Sequence, residues 1–460
     1  MKAYLQKAWY YYKRNGIANT FFTTLERVLG INNIGYEWTE CSGKELKRQR
    51  EQVFSEPIRI SILVPAYETD PVFLRQMIDS VKNQTYSYWE LVIADAGKSD
   101  TVENIVKEYM QKHTDDRNAI VYKRLTNNAG ISANTNEALK LASGEYIGLL
   151  DHDDVLTPDA LFEMASCIEK AKHEGSIVKM LYSDEDKCDM EMKHFYEPHF
   201  KEDFNLDLIL SNNYICHFLV MKAELMKQIQ FQPDFDGAQD YKLVLDAVDI
   251  LQKEQSAIVH IPKVLYHWRC HTGSTAQNPQ SKLYAYEAGK RAVASFCEKQ
   301  GWSNVKVEHL PHLGFYKIVY GNCAAGTTRK VNVKDEMEKL LTIRKDVGAV
   351  GGSVLRRGTI VGGRYLENGN VCYYKLYHRF GGYMHRAVLM QDAYGLDLRC
   401  IVVKEELQPL LKEIREKYGI DKAKRHVSEE SLRKANEEFA QLLRDKKYLM
   451  LWNPAMKCKV

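Results

Sequence analysis

Three carboxylates stand within four residues in the segment Asp151-His152-Asp153-Asp154. The segment follows the apolar run Tyr146–Leu150 and precedes Thr157-Pro158, which marks the start of a helix. Carboxylates this close repel one another unless a cation neutralises them, and Mg²⁺ or Mn²⁺ is bound by a few carboxylates together with substrate phosphates. Acidic turns also occur as helix caps and solvated loops, but the apolar run in front of this one favours a divalent metal site.

A second candidate is Asp95, which ends the apolar run Leu91–Ala94. Its carboxylate could accept a hydrogen bond from a nucleobase N–H or a ribose hydroxyl, or it could cap the turn ADAGKSD, and the residue alone does not decide between the two. No GxGxxG motif follows the first apolar run, where VPAYETD stands instead, and no GxxxxGK[ST] motif occurs. These absences disfavour a dinucleotide site and a P-loop phosphotransferase.

The elements that would position these residues follow a regular alternation. Short apolar runs predict strands, and stretches of helical spacing between them predict helices, the first of which has Asp70 as N-cap before Pro71. The runs are Ile60–Val64, Leu91–Ala94, Ala119–Leu125, Tyr146–Leu150 and Val178–Tyr182. Alternating strands and helices indicate βαβ units with a parallel sheet, and ligands bind beyond the carboxyl ends of such strands. The acidic and loop candidates fall at that edge.

Five segments in this order resemble the family-two glycosyltransferases of the GT-A fold: SILVPAYE, LVIADAGKSD, NNAGISANTNEAL, ASGEYIGLLDHDDVLTPDAL and GAQDYKLVL. The resemblance covers roughly residues 58–300. It implies an α/β fold of GT-A type, Rossmann-like with a mostly parallel sheet flanked by helices, followed here by a smaller α/β C-terminal domain. It also implies a nucleotide-diphospho-sugar donor, a divalent metal and an inverting displacement.

The resemblance assigns donor and metal roles residue by residue. Asp153 is implied to ligate Mn²⁺ or Mg²⁺ directly, and Asp154 to orient the loop. The residues implied to bind the donor nucleotide are Pro65, Ala66, Tyr67, Glu68, Asp95 and Asp151. Ala96 and Lys98 depart from the family's DDGS-like motif, which bears on the base that is preferred.

Asp240, in the segment GAQDY, matches the catalytic base of the family. The chemistry needs a carboxylate that takes a proton from the acceptor hydroxyl as this attacks the anomeric carbon. A metal would meanwhile stabilise charge on the departing diphosphate. Without the family context, an Asp before the apolar run Leu243–Leu245 is simply the first turn of a helix.

Further candidates lie near the end of the resemblance, in YHWRCH. There, His271 is expected to complete the metal shell, although a structural histidine is an equal alternative, and Arg269 is a candidate for the diphosphate. The sugar or the acceptor is assigned to a wider set of residues: Asp184, Glu185, Asp186, His217, Trp268 and Arg269. The loop Asn212-Asn213-Tyr214 is a further acceptor-side candidate.

An internal repeat links the last third of the chain to the second part of the motif-bearing region. FLVMKAEL from Phe218 recurs as CIVVKEEL from Cys400, and AIVHIPKV from Ala257 is echoed by YLMLWNPAM from Tyr448. Similarity of DVGAVGGSVLRRGTIVGG to the acceptor half of tandem family-two enzymes suggests a degenerate second copy without donor binding. The alternative is an unrelated accessory domain.

The composition excludes several classes of protein. The chain has 460 residues, 45% hydrophobic and 27% charged, which is typical of globular proteins, and its 64 Lys and Arg against 61 Asp and Glu argue against a nucleic-acid binder. Its ten cysteines include no CxxC pair, and no apolar run is long enough to cross a bilayer. A cytoplasmic protein with reduced thiols is therefore expected.

Residues 1–50 carry nine Lys and Arg against four Glu, hence a charge of +5, together with several aromatic residues. Such a segment can bind an anionic membrane surface, or it can pack on the main domain with its cations solvated. We therefore expect a protein that is cytoplasmic, with peripheral attachment to the inner face of the membrane as the further expectation.

The sequence thus predicts three parts: a basic, aromatic helical segment over 1–55, a GT-A catalytic domain over 56–302 and an accessory domain over 303–460. The predicted function is inverting transfer of a hexose or deoxyhexose from a UDP- or dTDP-linked donor to a surface polysaccharide or lipid-linked glycan. The alternative is a catalytically weak scaffold in a polysaccharide-synthesis complex. A membrane surface, a second copy of the chain and a partner glycosyltransferase are the other expected partners, and nucleic acid is not.

Overall fold

The computed structural model describes residues 2–112, 115, 117–254, 257–271, 283–321, 332–420 and 427–460. The chain forms two compact units. The first unit consists of Gly35–Phe204 and Asn213–Phe296, and the second of Met1–Ile34, Asn205–Asn212 and Cys297–Val460. The three-part division predicted from the sequence stays a prediction.

The described elements are numbered along the chain. The helices are α1 (Lys2–Val28), α2 (Gly43–Glu51), α3 (Pro71–Lys82), α4 (Thr101–Gln111), α5 (Ile131–Leu141), α6 (Ala160–His173), α7 (Leu206–Ile209), α8 (Ala223–Ile229), α9 (Gln239–Glu254), α10 (Leu283–Lys299), α11 (Val333–Ile343), α12 (Gln408–Lys417) and α13 (Glu429–Asp445). The strands are β1 (Ile60–Ala66), β2 (Trp89–Asp95), β3 (Ala119–Arg124), β4 (Tyr146–Leu149), β5 (Val155–Leu156), β6 (Val178–Cys188), β7 (Phe195–His199), β8 (Leu219–Lys222), β9 (Ala257–Arg269), β10 (Val305–His309), β11 (Tyr316–Tyr320), β12 (Val347–Arg356), β13 (Thr359–Gly362), β14 (Arg364–Tyr365), β15 (Gln391–Asp392), β16 (Gly395–Leu396), β17 (Ile401–Val403) and β18 (Leu449–Lys459).

The first unit is built on one sheet with the order β3-β2-β1-β4-β8-β6-β9-β5, and β7 pairs with β6. Strands β1 to β4 are parallel, as are β6 and β9, whereas β8 runs antiparallel between β4 and β6. Apolar side chains from β1 and β2 are buried on both faces, as expected for strands covered by helices on either side. The predicted α/β class with a mostly parallel sheet is confirmed.

Helix α3 shows why the sequence folds as it does locally. The carboxylate of Asp70 accepts hydrogen bonds from the N–H groups of Val72 and Phe73, and Pro71 occupies the first helical position. Four apolar side chains at helical spacing, Leu74, Met77, Ile78 and Val81, are buried in the core beneath the sheet. The N-cap and the amphipathic pattern predicted from the sequence are both observed.

The second unit contains a smaller sheet with the order β13-β12-β18-β15, in which β17 also pairs with β12. Helices α12 and α13 pack on it through a core that includes Leu411, Phe439 and Trp452. The smaller α/β C-terminal domain is thus confirmed. The short segment containing α7 belongs to this unit, since buried Arg344 pairs with Asp207 at 3.1 Å.

The two units share a strand-pairing pattern that follows the sequence repeat. Leu219 of β8 and Ile401 of β17 hold equivalent positions in FLVMKAEL and CIVVKEEL. Leu219 pairs with Tyr182 of β6 and Ile401 with Gly351 of β12, both in antiparallel ladders. Three consecutive pairs on each side keep this correspondence, and a degenerate second copy stays a prediction.

The parallel strands extend the same correspondence. Tyr182 pairs with His260 of β9, and Gly351 pairs with Trp452 of β18, which are equivalent positions when Pro262 and Pro454 of the two segments are aligned. The match shows what the second ladder lacks. Where β6 carries three consecutive carboxylates after Ser183, the equivalent residues of β12 are Ser353, Val354 and Leu355.

Candidate functional site

The acidic candidates lie at one edge of the first unit's sheet because their strands are neighbours. Ala66 at the end of β1 is in register with Asp95 at the end of β2. On the other side of β1, β4 ends at Leu149, two residues before Asp151. The parallel arrangement therefore places the loops after β1, β2 and β4 at the same edge, as the sequence predicted.

Asp95 is fully buried and both of its carboxylate oxygens are engaged. Oδ1 accepts from the N–H of Gly97 at 2.8 Å, and Oδ2 accepts from the hydroxyl of Tyr122 at 2.9 Å. Asp95 therefore caps the turn after β2. A hydrogen bond from a nucleobase would have to use the remaining lone pairs of its carboxylate. Tyr122 was not identified from the sequence, although the parallel pairing of β2 with β3 places it beside Ile93.

The loop after β1 is tied to the loop after β2. Glu68, which has a φ of +46°, accepts a hydrogen bond from the N–H of Lys98 at 2.6 Å and one from the hydroxyl of Ser99 at 3.3 Å. The Lys98 N–H is the main reason why the pKa of Glu68 is lowered. Of the four predicted nucleotide-binding residues in this loop, Tyr67 and Glu68 are exposed, whereas Pro65 is partly buried and Ala66 is buried.

The three carboxylates after β4 lie close together, with one oxygen from each within 4.8 Å of the others. Asp154 is buried, and it accepts from the Tyr266 hydroxyl at 2.6 Å and from the Arg269 N–H at 2.7 Å. Burial raises the pKa of Asp154 well above its usual value. Asp154 therefore holds the loop in place, and Asp151 and Asp153 remain as the carboxylates available to a ligand.

His271, beyond the end of β9, contacts this cluster. Its Nε2 lies 2.8 Å from Oδ2 of Asp153, and both side chains are partly exposed. The predicted metal residues Asp153 and His271 are thus adjacent. Burial is the main cause of a raised pKa at Asp151, and the charge of Asp153 adds to it.

Arg269 occupies a different environment from the predicted one. Its side chain is fully buried, its Nε donates to the carbonyl of Asp153 at 2.6 Å, and its Nη1 donates to the carbonyl of Met190 at 2.7 Å. The guanidinium also lies 4.4 Å from the ring centre of Phe73. In this arrangement Arg269 supports the acidic loop from behind; its burial keeps it from a diphosphate or sugar, and its Nη2 contacts Sδ of Met192 at 3.3 Å.

Strand β6 separates the three acidic residues that the sequence grouped together. Successive side chains of a strand point to opposite faces, so Asp184 and Asp186 lie on one face and Glu185 on the other. Asp184 accepts from Nε2 of His260 at 2.8 Å, while Asp186 accepts from Nδ1 of His267 at 2.5 Å and from the hydroxyl of Tyr36 at 2.6 Å. Both are buried structural carboxylates, and the predicted acceptor role does not suit them.

Glu185 faces the acidic cluster through His217. The two nitrogens of His217 lie 3.4 Å from Oε2 of Glu185 and 4.0 Å from Oδ2 of Asp151. Although burial opposes protonation, Glu185 and Asp151 raise the pKa of His217 to about 9. Burial likewise opposes ionisation of Glu185, yet Lys201 and His199 hold its pKa well below the usual range. Neither Lys201 nor His199 stands in a motif, so the sequence offered no signal for them.

Aromatic side chains cover the imidazole of His217. The ring of Tyr266 stacks on it with a centroid distance of 4.8 Å, and Trp268 lies 6.1 Å away. Tyr266 and Trp268 alternate with buried His267 along β9, which puts them on the same face as Glu185. Trp268, which the sequence assigned to the sugar or the acceptor, therefore lies beside His217 and is partly exposed.

Asp240 stands in the first turn of α9 and is partly exposed. Its Oδ2 accepts from Nδ2 of Asn213 at 3.1 Å. Burial is the main cause of the raised pKa of Asp151, and the charge of Asp240 is a further one. The predicted base thus lies in the electrostatic surroundings of the acidic cluster. Asn213, in the loop singled out from the sequence, orients it.

Two of the sequence motifs meet through Asp236. Its Oδ1 accepts from the N–H of Ser132 at the start of α5, and a Cβ added at Gly130 would lie 2.3 Å from its Oδ2. Gly130 also has a φ of +95°. The NNAG segment therefore requires glycine because the carboxylate before α9 occupies the space of a side chain.

We predict that Gly130→Ala destabilises the protein by about 1–3 kcal/mol, since strain at positive φ and a carboxylate clash act together. Urea unfolding of both variants measures the effect. Gly175→Ala is the matched control, because Gly175 has a φ of +74° with no atom within 4 Å of an added Cβ. Equal losses for the two variants would show that the Asp236 contact does not constrain Gly130.

In the residues that the structure describes, no helix is both long and apolar enough to span a membrane.

Residues 61–230 match the family described as Glycosyl transferase family 2.

The chain is similar to larger proteins over about half its own length. It is 41% identical to the uncharacterized protein y4gI of Sinorhizobium fredii, over 51% of this chain and 25% of that protein. It is 33% identical to the O-antigen biosynthesis protein RfbC of Myxococcus xanthus, over 53% of this chain and 18% of that protein. The chain thus spans a quarter or less of these relatives.

A crystal structure of S. aureus TarS 1–349 in complex with UDP matches with a TM-score of 0.39 and 19% identity, over 53% of this chain and 69% of that one. The family match begins within β1 and ends after α8, so it includes both strand-end loops and the acidic cluster. Residues 61–230 of this chain form a glycosyl transferase family 2 domain.

Proposed function

We propose that this protein transfers a sugar from a nucleotide-diphospho-sugar to an acceptor hydroxyl with inversion at the anomeric carbon. The observation that carries the proposal is that four side chains meet in the first unit, which contains most of the matched residues 61–230. Asp151 and Asp153 stand at the strand ends with His271, and Asp240 contributes to their electrostatic surroundings. Such a site offers both a diphosphate-binding end and a carboxylate base.

The donor set fits a divalent metal. Asp151, Asp153 and His271 would hold it, and a set that mixes carboxylates with an imidazole suits Mn²⁺ better than Mg²⁺, which prefers oxygen ligands. When bound, the metal supplies stabilisation of the charge that develops on the departing diphosphate. Burial is the main cause of the raised pKa of Asp151, and the charges of neighbouring carboxylates add to it. A bound cation would remove this repulsion between the carboxylates.

The chain's own residues supply the proton transfer. Asn213 holds Oδ2 of Asp240, which leaves Oδ1 to accept the proton of the acceptor hydroxyl. As that proton moves to Asp240, the acceptor oxygen bonds to the anomeric carbon, and the bond from this carbon to the diphosphate oxygen breaks. The diphosphate leaves with the electron pair on the face opposite to the attack.

We assign the donor to the UDP- or dTDP-linked hexoses and deoxyhexoses, and the acceptor to a surface polysaccharide or a lipid-linked glycan. The similarity to an O-antigen biosynthesis protein supports a polysaccharide acceptor. We assign nucleotide contacts to Tyr67 and Glu68, and their exposure in the loop beside Asp95 supports the assignment.

A second candidate is a weakly active scaffold of a polysaccharide-synthesis complex. Ala96 in place of the family's second Asp favours it, as does the loss of carboxylates from β12, where Val354 replaces the equivalent of Glu185. On this view residues 303–460 are a degenerate copy of the acceptor half that binds a partner glycosyltransferase or a second chain.

A panel of nucleotide-diphospho-sugars, each with and without Mn²⁺, separates the two candidates. Binding of one donor to the native state should raise the Tm, and release of the nucleoside diphosphate in the presence of glycan acceptors should report turnover. Donor binding with no turnover on any acceptor would favour the scaffold. No binding by any donor would contradict the transferase proposal.

Peripheral attachment to the inner face of the membrane is part of the proposal, and α1 supports it. Ile17, Phe21 and Val28 are exposed to 76%, 58% and 77%, which is unusual for apolar side chains of one helix. Lys13 lies over the ring of Trp9 at 5.3 Å, so cation and aromatic group share the exposed surface. An anionic bilayer offers apolar chains and negative charge to such a surface.

We predict that Ile17→Ser combined with Phe21→Ser abolishes flotation with anionic vesicles. Burying each side chain contributes about 1.5–3 kcal/mol, so membrane partitioning should fall by roughly a hundredfold or more. The matched control is Val53→Ser, which removes an apolar side chain that is 89% exposed outside α1. Equal flotation of the double variant and the control would contradict an interfacial α1.

A further inference from the structure

The second unit encloses a cavity of about 410 Å³ that the proposed transfer reaction does not use. Its lining comes from α1, from two later segments of the same unit around His312 and Arg379, and from Lys457 of β18. Cavities of roughly 300–1,000 Å³ are the usual size of small-molecule sites. The volume is thus sufficient for a ligand built on one or two sugar rings.

Helix α1 is fastened over this cavity at two points. Nδ2 of Asn15 donates to the carbonyl of Pro311 at 3.1 Å. Two residues before the end of the helix, the buried carboxylate of Glu26 accepts from the N–H groups of Gly381 and Gly382 at 3.0 and 2.7 Å. The charge of Glu26 is therefore compensated by these backbone groups.

Neutral polar groups line the interior of the cavity. The rings of His312 and His385 stack with a centroid distance of 3.7 Å, and the hydroxyl of Tyr11 lies 3.5 Å from Nε2 of His312. Burial lowers the pKa of His312 to about 3 and also lowers that of His385, so both are neutral imidazoles near pH 7. A neutral imidazole offers one donor and one acceptor, which suits the hydroxyls of a sugar or polyol.

Two cations line the same cavity at its exposed side. Arg379 lies 4.8 Å from the ring centre of Phe22, and Lys457 comes from β18. Within the described ranges neither Arg379 nor Lys457 forms an ion pair. The pKa of Lys457 is lowered mainly by burial, and the charge of Arg379 lowers it further. Two neighbouring cations without a carboxylate partner repel each other, and an anion bound between them would remove that repulsion.

We propose that this cavity binds a phosphorylated sugar or polyol, with the phosphate at Arg379 and Lys457 and the hydroxyls toward His312, His385 and Tyr11. The ligand can be a soluble sugar phosphate or the headgroup of a phospholipid, since both present a phosphate ester beside hydroxyls. This site is separate from the glycosyl transferase family 2 domain and does not depend on the proposed transfer.

Calorimetric titration of the full chain tests the soluble source, with glucose 1-phosphate, glycerol 1-phosphate and uncharged glucose as probes. The chain should carry Asp153→Ala, so that binding at the donor site does not contribute. Arg379→Gln combined with Lys457→Gln should weaken binding of the phosphorylated probes by at least about tenfold, because each charged hydrogen bond is lost. Lys459→Gln, an exposed lysine on the same strand, should leave it unchanged, and Lys457→Arg should retain it.

Titration with a short-chain phosphatidylglycerol below its critical micelle concentration tests the lipid source, because no bilayer is then present for α1 to bind. If the double variant loses binding of this lipid while neither soluble probe binds the parent, the ligand is a headgroup; if soluble binding is lost, it is a soluble phosphate. The proposal is overturned if the double variant binds both kinds of probe as the Lys459→Gln chain does, or if the parent binds none. Donor binding by the chain with Asp153 intact reports separately on the proposed transfer.

Discussion

Asp240→Asn is expected to lower kcat by about 10²- to 10⁴-fold, the usual contribution of a positioned general base. The amide keeps the shape of the side chain, and its oxygen can still accept from Asn213, so the donor KM should hardly change. Release of nucleoside diphosphate under saturating donor, at several acceptor concentrations, separates kcat from KM.

The matched control is Asp234→Asn, an exposed carboxylate six residues earlier in the chain. Its loss removes the same charge from the same region without touching the acidic cluster. If Asp240→Asn and Asp234→Asn both retain turnover within a few-fold of the parent, Asp240 is not the base. A carboxylate elsewhere in the site would then have to take the proton.

Asp153→Ala is expected to remove the response to Mn²⁺. The parent should gain thermal stability as Mn²⁺ is added, because a ligand that binds only the native state stabilises it. Loss of a direct ligand should weaken Mn²⁺ binding by at least about a hundredfold, since even outer partners of a metal contribute 10–100-fold. Turnover should fall in parallel.

Asp154→Asn provides the contrast within the same loop. Asp154 accepts from the hydroxyl of Tyr266 and from the N–H of Arg269. The NH₂ group of an asparagine in its place would therefore face one of these buried donors. That variant should lose about 1–3 kcal/mol of stability in the absence of any metal. If Asp153→Ala responds to Mn²⁺ as the parent does, Asp153 is not a ligand, and the metal assignment fails.

The order of strands and helices in the first unit could be predicted because the pattern is local. Runs such as Ile60–Val64 are apolar throughout, which indicates a strand with both faces covered, and the cap at Asp70 lies beside the helix it begins. From parallel strands it also followed that the loops bearing Asp95 and Asp151 share an edge. Antiparallel β8, between β4 and β6, has no comparable local signal.

The candidate site was predicted less completely. Consecutive Asp184, Glu185 and Asp186 look alike in the sequence, and only the pairing of β6 with β9 decides that Glu185 faces the acidic cluster. Arg269 was a candidate for the diphosphate from its position in the sequence, but in the structure it is fully buried and its Nε and Nη1 donate to backbone carbonyls. Lys201, which is buried near Glu185, follows no motif at all.

By itself, the sequence indicated the resemblance of residues 61–230 to glycosyl transferase family 2, the strand-end carboxylates and the similarity between the segments that form β8 and β17, because each resides in contiguous residues with a fixed spacing. Tertiary structure alone decided which side chains face one another across distant segments. Beside the cavity, Glu26 of α1 accepts a hydrogen bond from the N–H of Gly381, and Asp207 forms an ion pair with Arg344. Such contacts depend on how whole elements pack. Many residue types can satisfy the same packing, so no local sequence pattern predicts these contacts.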